Sequence, residues 1–116
     1  MNMRNMSFSL TTEQVRNRTK TVTRRLGWAT AKAGDVVQPV VKGMGLKRGE
    51  RVEKIGGPIR FLSVSRERLD CIKAYDVLSE GFPDMAPHEF VEMFCEHNGC
   101  EASQIVTRIE FDYLYV

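Results

Sequence analysis

Hydrophobic positions along this chain switch between two periods. Met6-Ser7-Phe8-Ser9-Leu10 alternates apolar and polar, which predicts a half-buried strand. Thr11-x-x-Gln14 has the form of a capping box and opens a short helix running through Val15 to about Arg18. Val36–Val41 reads as a strand, with Pro39 arguing for an edge or a bulge. In Ile59–Val64 the apolar residues fall on both faces (Ile59 and Phe61; Leu62 and Val64), as in a strand covered on both sides in a small barrel. Arg66–Asp70 leads into a predicted helix from Ile72 to Leu78, with Gly81 free for a left-handed cap and Pro83 as a stop. Pro87 suits the first turn of the next helix, which carries a Phe90, Val91, Phe94, Cys95 stripe and ends near Asn98-Gly99. Ile105–Val116 is a long alternating strand whose inward face is Ile109, Phe111 and Tyr113, flanked by Ile105, Thr107 and Tyr115.

These elements predict an α+β domain: a small mixed β-barrel of five or six strands with about three flanking helices. At 116 residues the whole chain, 1–116, is one domain. An apolar fraction of 42% and a charged fraction of 28% are those of an ordinary soluble globule, and no apolar run is long enough to span a bilayer. Met1–Met6 lacks the apolar stretch of a signal peptide. A cytoplasmic protein is therefore expected, a monomer without contact with membranes, its three cysteines free thiols.

Charge changes the picture more than composition does. Residues 1–68 carry a net +10 and residues 69–116 a net −8. If these parts occupy different faces, the basic one attracts phosphates; if they interleave, the charges neutralise each other. One basic stretch is Thr19-Lys20-Thr21-Val22-Thr23-Arg24-Arg25, with one lysine, three threonines and two arginines, whose only apolar residue is Val22. Extended, it places Thr19, Thr21 and Thr23 on one face and Lys20, Val22 and Arg24 on the other. For Lys20 and Thr23 to share a site, the segment must bend between them. Trp28, after Gly27, is a packing anchor or a pocket wall, and Lys42–Glu50 reads as an exposed basic loop with Gly43, Gly45 and Gly49. Its glycine spacing matches no phosphate-binding fingerprint.

Lysines lose their protons more readily near other cations and low-dielectric surface. Arg24 and Arg25 push Lys20 that way, making it a candidate base beside the Thr23 hydroxyl, and Glu80 is a candidate proton donor. Cys95-x-His97-x-x-Cys100 offers three ligand types but not the paired spacing of a structural zinc site, so neither a metal nor another cofactor is expected.

The sequence resembles the ASCH family, small β-barrels similar to PUA domains. Lys20-Thr21-Val22-Thr23-Arg24-Arg25 matches the family's lysine-x-x-threonine-x-arginine signature, with Arg25 as the signature arginine. Lys32-Ala33-Gly34-Asp35-Val36, Glu80-Gly81-Phe82 before the Pro87 helix, and Arg108-Ile109-Glu110-Phe111 follow in the family's order. The resemblance implies RNA or modified-nucleoside recognition in a basic cleft around Lys20–Arg25. Arg24, Arg25, Trp28, Lys42, Lys47 and Arg48 are the expected contacts. It also implies a second reading, an amidohydrolase of N4-acetylcytidine-like nucleosides using Lys20, Thr23 and Glu80, or a ribonuclease. The Lys42–Lys54 segment is a basic insert relative to the family, and the spacing from the signature to Glu80 differs from that of the amidohydrolase type.

Overall fold

A computed structural model describes residues 3–43 and 46–114. Its architecture is α+β, a five-stranded mixed sheet flanked by three helices. The strands are β1 (Arg4–Ser7), β2 (Val22–Arg25), β3 (Val36–Val40), β4 (Ile59–Arg68) and β5 (Ile105–Tyr113). The helices are α1 (Thr12–Arg16), α2 (Ala74–Ser79) and α3 (Pro87–Asn98). Strand order is β1-β3-β4-β5-β2, with β1 parallel to β3 and the other pairs antiparallel. The hydrogen-bonded sheet is open, with β1 and β2 at its edges. No helix among the described residues is long and apolar enough to cross a membrane.

Several boundaries differ from the sequence pattern for physical reasons. The first strand stops at Ser7, and Ser9–Thr11 tightens into a 3-10 turn. Thr11 makes no side-chain cap, whereas the Thr12 hydroxyl donates to the Phe8 carbonyl at 2.9 Å. α1 ends at Arg16 because Arg18 adopts a left-handed backbone, φ +64°. Pro39 lies on an inner strand, not an edge. β3 pairs with β4 only at Val36 and Val37, so Pro39 stands where that ladder has already ended. β4 runs ten residues: it absorbs Arg66–Arg68, read as a helix approach, by pairing them with Ile105–Thr107 of β5. A bulge between Phe61 and Ser63 turns Leu62 out to 47% exposure, so β4 is not apolar on both sides. On β5, Ile109 and Phe111 point inward as expected, but Ile105 is 46% exposed and Val106 is buried in its place. Gly45 and Tyr115 lie outside the described residues.

Two apolar clusters result. Met6, Phe8, Val15, Ile59, Phe61, Ile109 and Phe111 fill the first, beneath the sheet. Leu69, Ile72, Val77, Phe90, Phe94 and Val106 fill the second, where α2 and α3 pack. α3 carries the predicted signals: Pro87 at its first position, Ala86 N–H donating to Glu89 Oε1 at 2.8 Å, and Gly99 closing it at φ +65°.

Candidate functional site

The seam between the two clusters is held by a short backbone clip. After α1, the Gln14 carbonyl accepts from Thr19 N–H (2.9 Å) and Lys20 N–H (3.2 Å), while the Gln14 side-chain amide donates to the Gly81 carbonyl (3.3 Å). Thr21 N–H donates to the Ser79 carbonyl at 2.8 Å, and the Tyr113 hydroxyl donates to the Lys20 carbonyl at 2.6 Å. The turn before β2 is thereby pinned to the end of α2. Extended pairing begins only at Val22, and no turn or bend marks residues 19–21; Lys20 and Thr23 nevertheless line one cleft, without the bend that the sequence spacing demands.

Lys20 and Glu80 meet at this clip, both 2% exposed. The Lys20 ammonium donates to Glu80 Oε1 at 2.6 Å and to the Glu80 carbonyl at 2.8 Å. Burial pushes the Lys20 pKa down; Glu80 opposes this by charge and hydrogen bond, and Arg25 and Arg24 add to the lowering. The second Glu80 oxygen accepts from Arg24 Nη1 at 3.1 Å. Arg24 Nη2 donates to Asp76 Oδ2 (2.6 Å) and to Glu67 Oε1 (2.8 Å), and Arg108 grips both Asp76 oxygens at 2.7 and 3.0 Å. Asp76 and Glu80 are four residues apart, an ordinarily repulsive spacing on a helix; the Arg24 guanidinium between them reverses the sign. Among the described residues, Arg24 Nε is the buried polar side-chain atom left without a partner.

A cleft of about 110 Å³ opens over the Lys20–Glu80 pair. Its polar floor is Lys20, Thr23, Arg24, Arg25 and Glu80; Phe8, Phe82, Phe90, Met93 and Phe94 wall it; Ser7, Ser9, His97 and Asn98 offer polar edges. Along α3 the residues facing the cleft are Phe90, Met93, Phe94, His97 and Asn98, while Val91 and Cys95 of the predicted apolar stripe pack with Phe90 and Phe94 in the second cluster. Arg25 lies over Phe8, its guanidinium carbon 4.7 Å from the ring centroid, and donates from Nε to Thr23 Oγ1 at 3.1 Å. Burial pushes the Arg25 pKa down to about 10, with Glu80 pulling it up, so it remains a cation at neutral pH.

The sequence-predicted residues therefore separate. Lys20, Thr23, Glu80, Arg24 and Arg25 line one cleft. Arg24 differs from its expected role, because its terminal nitrogens donate to three carboxylates, which neutralise the charge that a ligand phosphate would meet. Trp28 lies outside the cleft, its ring edge-on to Phe61 and under the Arg4 guanidinium at 4.0 Å. Lys42, Lys47 and Arg48 are exposed and also lie outside it. Asp76, Glu67 and Arg108 are members of the site that the sequence pattern missed; the Asp76–Glu80 spacing on α2 was the one signal for them. The Cys95 and Cys100 sulfurs approach to 3.9 Å, while His97 faces the cleft. No group of three or more metal-ligating side chains converges among the described residues. Nor do the basic and acidic parts of the chain stay on separate faces here: Lys20 and Arg24 are neutralised by Asp76 and Glu80 from the acidic part.

No protein-family model and no curated protein sequence matches the chain. The fold is similar to the crystal structure of protein EF3133 from Enterococcus faecalis V583, described by the family model DUF984. The TM-score is 0.67 at 15% identity, covering 100% of this chain and 86% of that one. At that identity the likeness is one of fold alone.

Proposed function

We propose that the chain is an ASCH-type, PUA-like domain whose cleft holds a single modified nucleobase, free or at an unpaired position in RNA. One observation carries this reading: a polar floor of Lys20, Thr23 and Glu80 lies beneath phenylalanine walls in a cleft far smaller than the roughly 300–1,000 Å³ of drug-sized pockets. A planar, polar-edged ring suits that combination, stacking on aromatic faces and hydrogen-bonding at its edge. The barrel expected of such a domain is supported by the approach of the two sheet edges: Phe8, just beyond β1, lies against Arg25 at the end of β2. Engagement of Arg24 by carboxylates, and the position of Lys42, Lys47 and Arg48 away from the cleft, favour one base over a long RNA groove. A cytoplasmic setting, with Cys71, Cys95 and Cys100 as free thiols, belongs to the same reading.

A specific observation favours a second reading, hydrolysis of an exocyclic acyl amide. The Lys20 amine has a lowered pKa and sits 2.6 Å from the Glu80 carboxyl, so the pair can take one proton and give one. In that reaction the proton shared by the pair first lies on Glu80, and the neutral Lys20 accepts a proton of water as its oxygen attacks the carbonyl carbon; if the Thr23 hydroxyl attacks instead, water then hydrolyses the resulting Thr23 ester. Glu80 protonates the departing ring amine, and the products are a carboxylic acid and the free base. Calorimetric titration with N4-acetylcytidine and cytidine, alongside acetate release from the former, tests both readings. Binding without turnover supports recognition. Turnover lost in Lys20→Ala and Glu80→Gln, with far-UV dichroism retained, supports hydrolysis. Absence of binding and of turnover at high protein concentration overturns both.

A further inference from the structure

The charges of the site do not balance. Its ion-pair network and cleft floor contain four cations, Lys20, Arg24, Arg25 and Arg108, against three carboxylates, Glu67, Asp76 and Glu80. Lys20 is spent on Glu80, Arg24 on all three acids, and Arg108 on Asp76. The surplus positive charge belongs to Arg25, which forms no ion pair among the described residues. Among the described residues its single side-chain hydrogen bond runs from Nε to Thr23 Oγ1, and neither Nη1 nor Nη2 has a partner there. Neither terminal nitrogen is sealed off among the described residues, where Arg24 Nε is the atom both buried and unpaired. Phe8 under the guanidinium carbon and the Thr23 hydroxyl at Nε restrain the side chain, so the two terminal nitrogens form a preset fork. Within the cleft the other carboxylate is Glu80, and both its oxygens are already engaged by Lys20 and Arg24. His97 at the edge is the remaining titratable group that lines it.

We propose that the natural ligand is an anion, bound by a phosphate or carboxylate group that accepts two hydrogen bonds end-on from Nη1 and Nη2 of Arg25. The inference rests on the nucleobase reading only for the choice of one probe pair. Ordering an oxyanion against a preset guanidinium fork costs little side-chain entropy, and charge-assisted, bidentate hydrogen bonds are the strong ones. A hydrogen bond to a charged group contributes enough to make the anion about tenfold to a hundredfold tighter than its neutral counterpart.

Calorimetry at low salt with two matched pairs tests this: cytidine 5′-monophosphate against cytidine, and benzoate against benzamide. The expected result is at least a tenfold preference for the anion in one pair, abolished in Arg25→Gln and reduced in Arg25→Lys, which keeps the charge but loses the fork. Preference in the nucleotide pair identifies a phosphate source, and preference in the benzoate pair a carboxylate source. The wild-type comparison stands without either variant if Arg25→Gln unfolds. Equal affinities within both pairs, a preference that survives in Arg25→Gln, or no binding by either pair overturns the proposal. Cytidine bound as tightly as its monophosphate, with benzoate and benzamide also equal, leaves the nucleobase reading intact while removing the anion. Benzoate preferred over benzamide, with both cytidine probes inert, does the reverse.

Discussion

Asp76→Ala is the perturbation that best separates a charge network built to hold the site from one that merely decorates it. Asp76 is 5% exposed and accepts three hydrogen bonds, from Arg24 at 2.6 Å and from Arg108 at 2.7 and 3.0 Å. Removing one partner of a buried ion pair costs about 3–5 kcal/mol, because the remaining charge stays buried. Two features pull the value to the lower end. Arg24 keeps Glu80 and Glu67, and the Arg108 side chain, 22% exposed, can recover water. The expected loss is therefore about 3 kcal/mol, or a fall in Tm on the order of 10 °C for a chain of this size. Urea denaturation read by far-UV dichroism measures it, and Asp76→Asn, which keeps the size and one acceptor, should fall between the two.

The pH dependence gives an independent check. The Arg108 hydrogen bonds, with Arg24 adding and burial opposing, hold the Asp76 pKa below the ordinary carboxylate value. A folded pKa below the unfolded one stabilises fully above about pH 4 and loses that contribution as pH falls through the folded value. The gap between wild type and Asp76→Ala should thus be constant near neutrality and shrink in acid. A loss below about 1 kcal/mol, the level of an exposed ion pair, would refute the reasoning, as would a gap that does not narrow in acid.

Two further outcomes are expected. In Gly81→Ala the new Cβ lies 2.7 Å from Gln14 Cγ at a backbone φ of +105°. The variant should lose about 1–3 kcal/mol in thermal melting and weaken ligand binding, because Gln14 is the residue that clips Lys20 in place; unchanged melting would remove the clip from the account. For Lys20, burial lowers the pKa, so the unfolded chain binds the proton more tightly and wild-type stability should rise as pH climbs toward about 10. Lys20→Met should abolish that rise, and melting curves between about pH 8 and about pH 10 that keep the same slope in both proteins would contradict it.

What the sequence makes legible divides along the range of the forces involved. α3 is readable because its signals are local: proline at the start, glycine at the end and an apolar stripe between. The last turn of β4 is not, because Arg66–Arg68 are polar and become strand only through pairing with Ile105–Thr107, nearly forty residues away. Lys20 and Glu80 are sixty residues apart, and their contact depends on backbone bonds from Gln14 and Ser79 that no periodicity records. The family resemblance brought those two residues and Thr23 together before the geometry did.

Arg24 and Arg25 show the limit most sharply. They are neighbours of one residue type, and composition treats them as equivalent phosphate contacts. Strand geometry separates them, because successive side chains leave β2 on opposite faces. Arg24 enters the acidic pocket formed by Asp76, Glu80 and Glu67, where its charge is consumed by the fold. Arg25 lies on the Thr23 face, against Phe8, with its two terminal nitrogens unpaired among the described residues. A one-residue slip of β2 against β5 would exchange these roles, sealing Arg25 into the acidic pocket and leaving Arg24 against an aromatic wall. The ladder that pairs Thr23 with Ile109 and Arg24 with Arg108 is therefore what decides which arginine is free to meet a ligand.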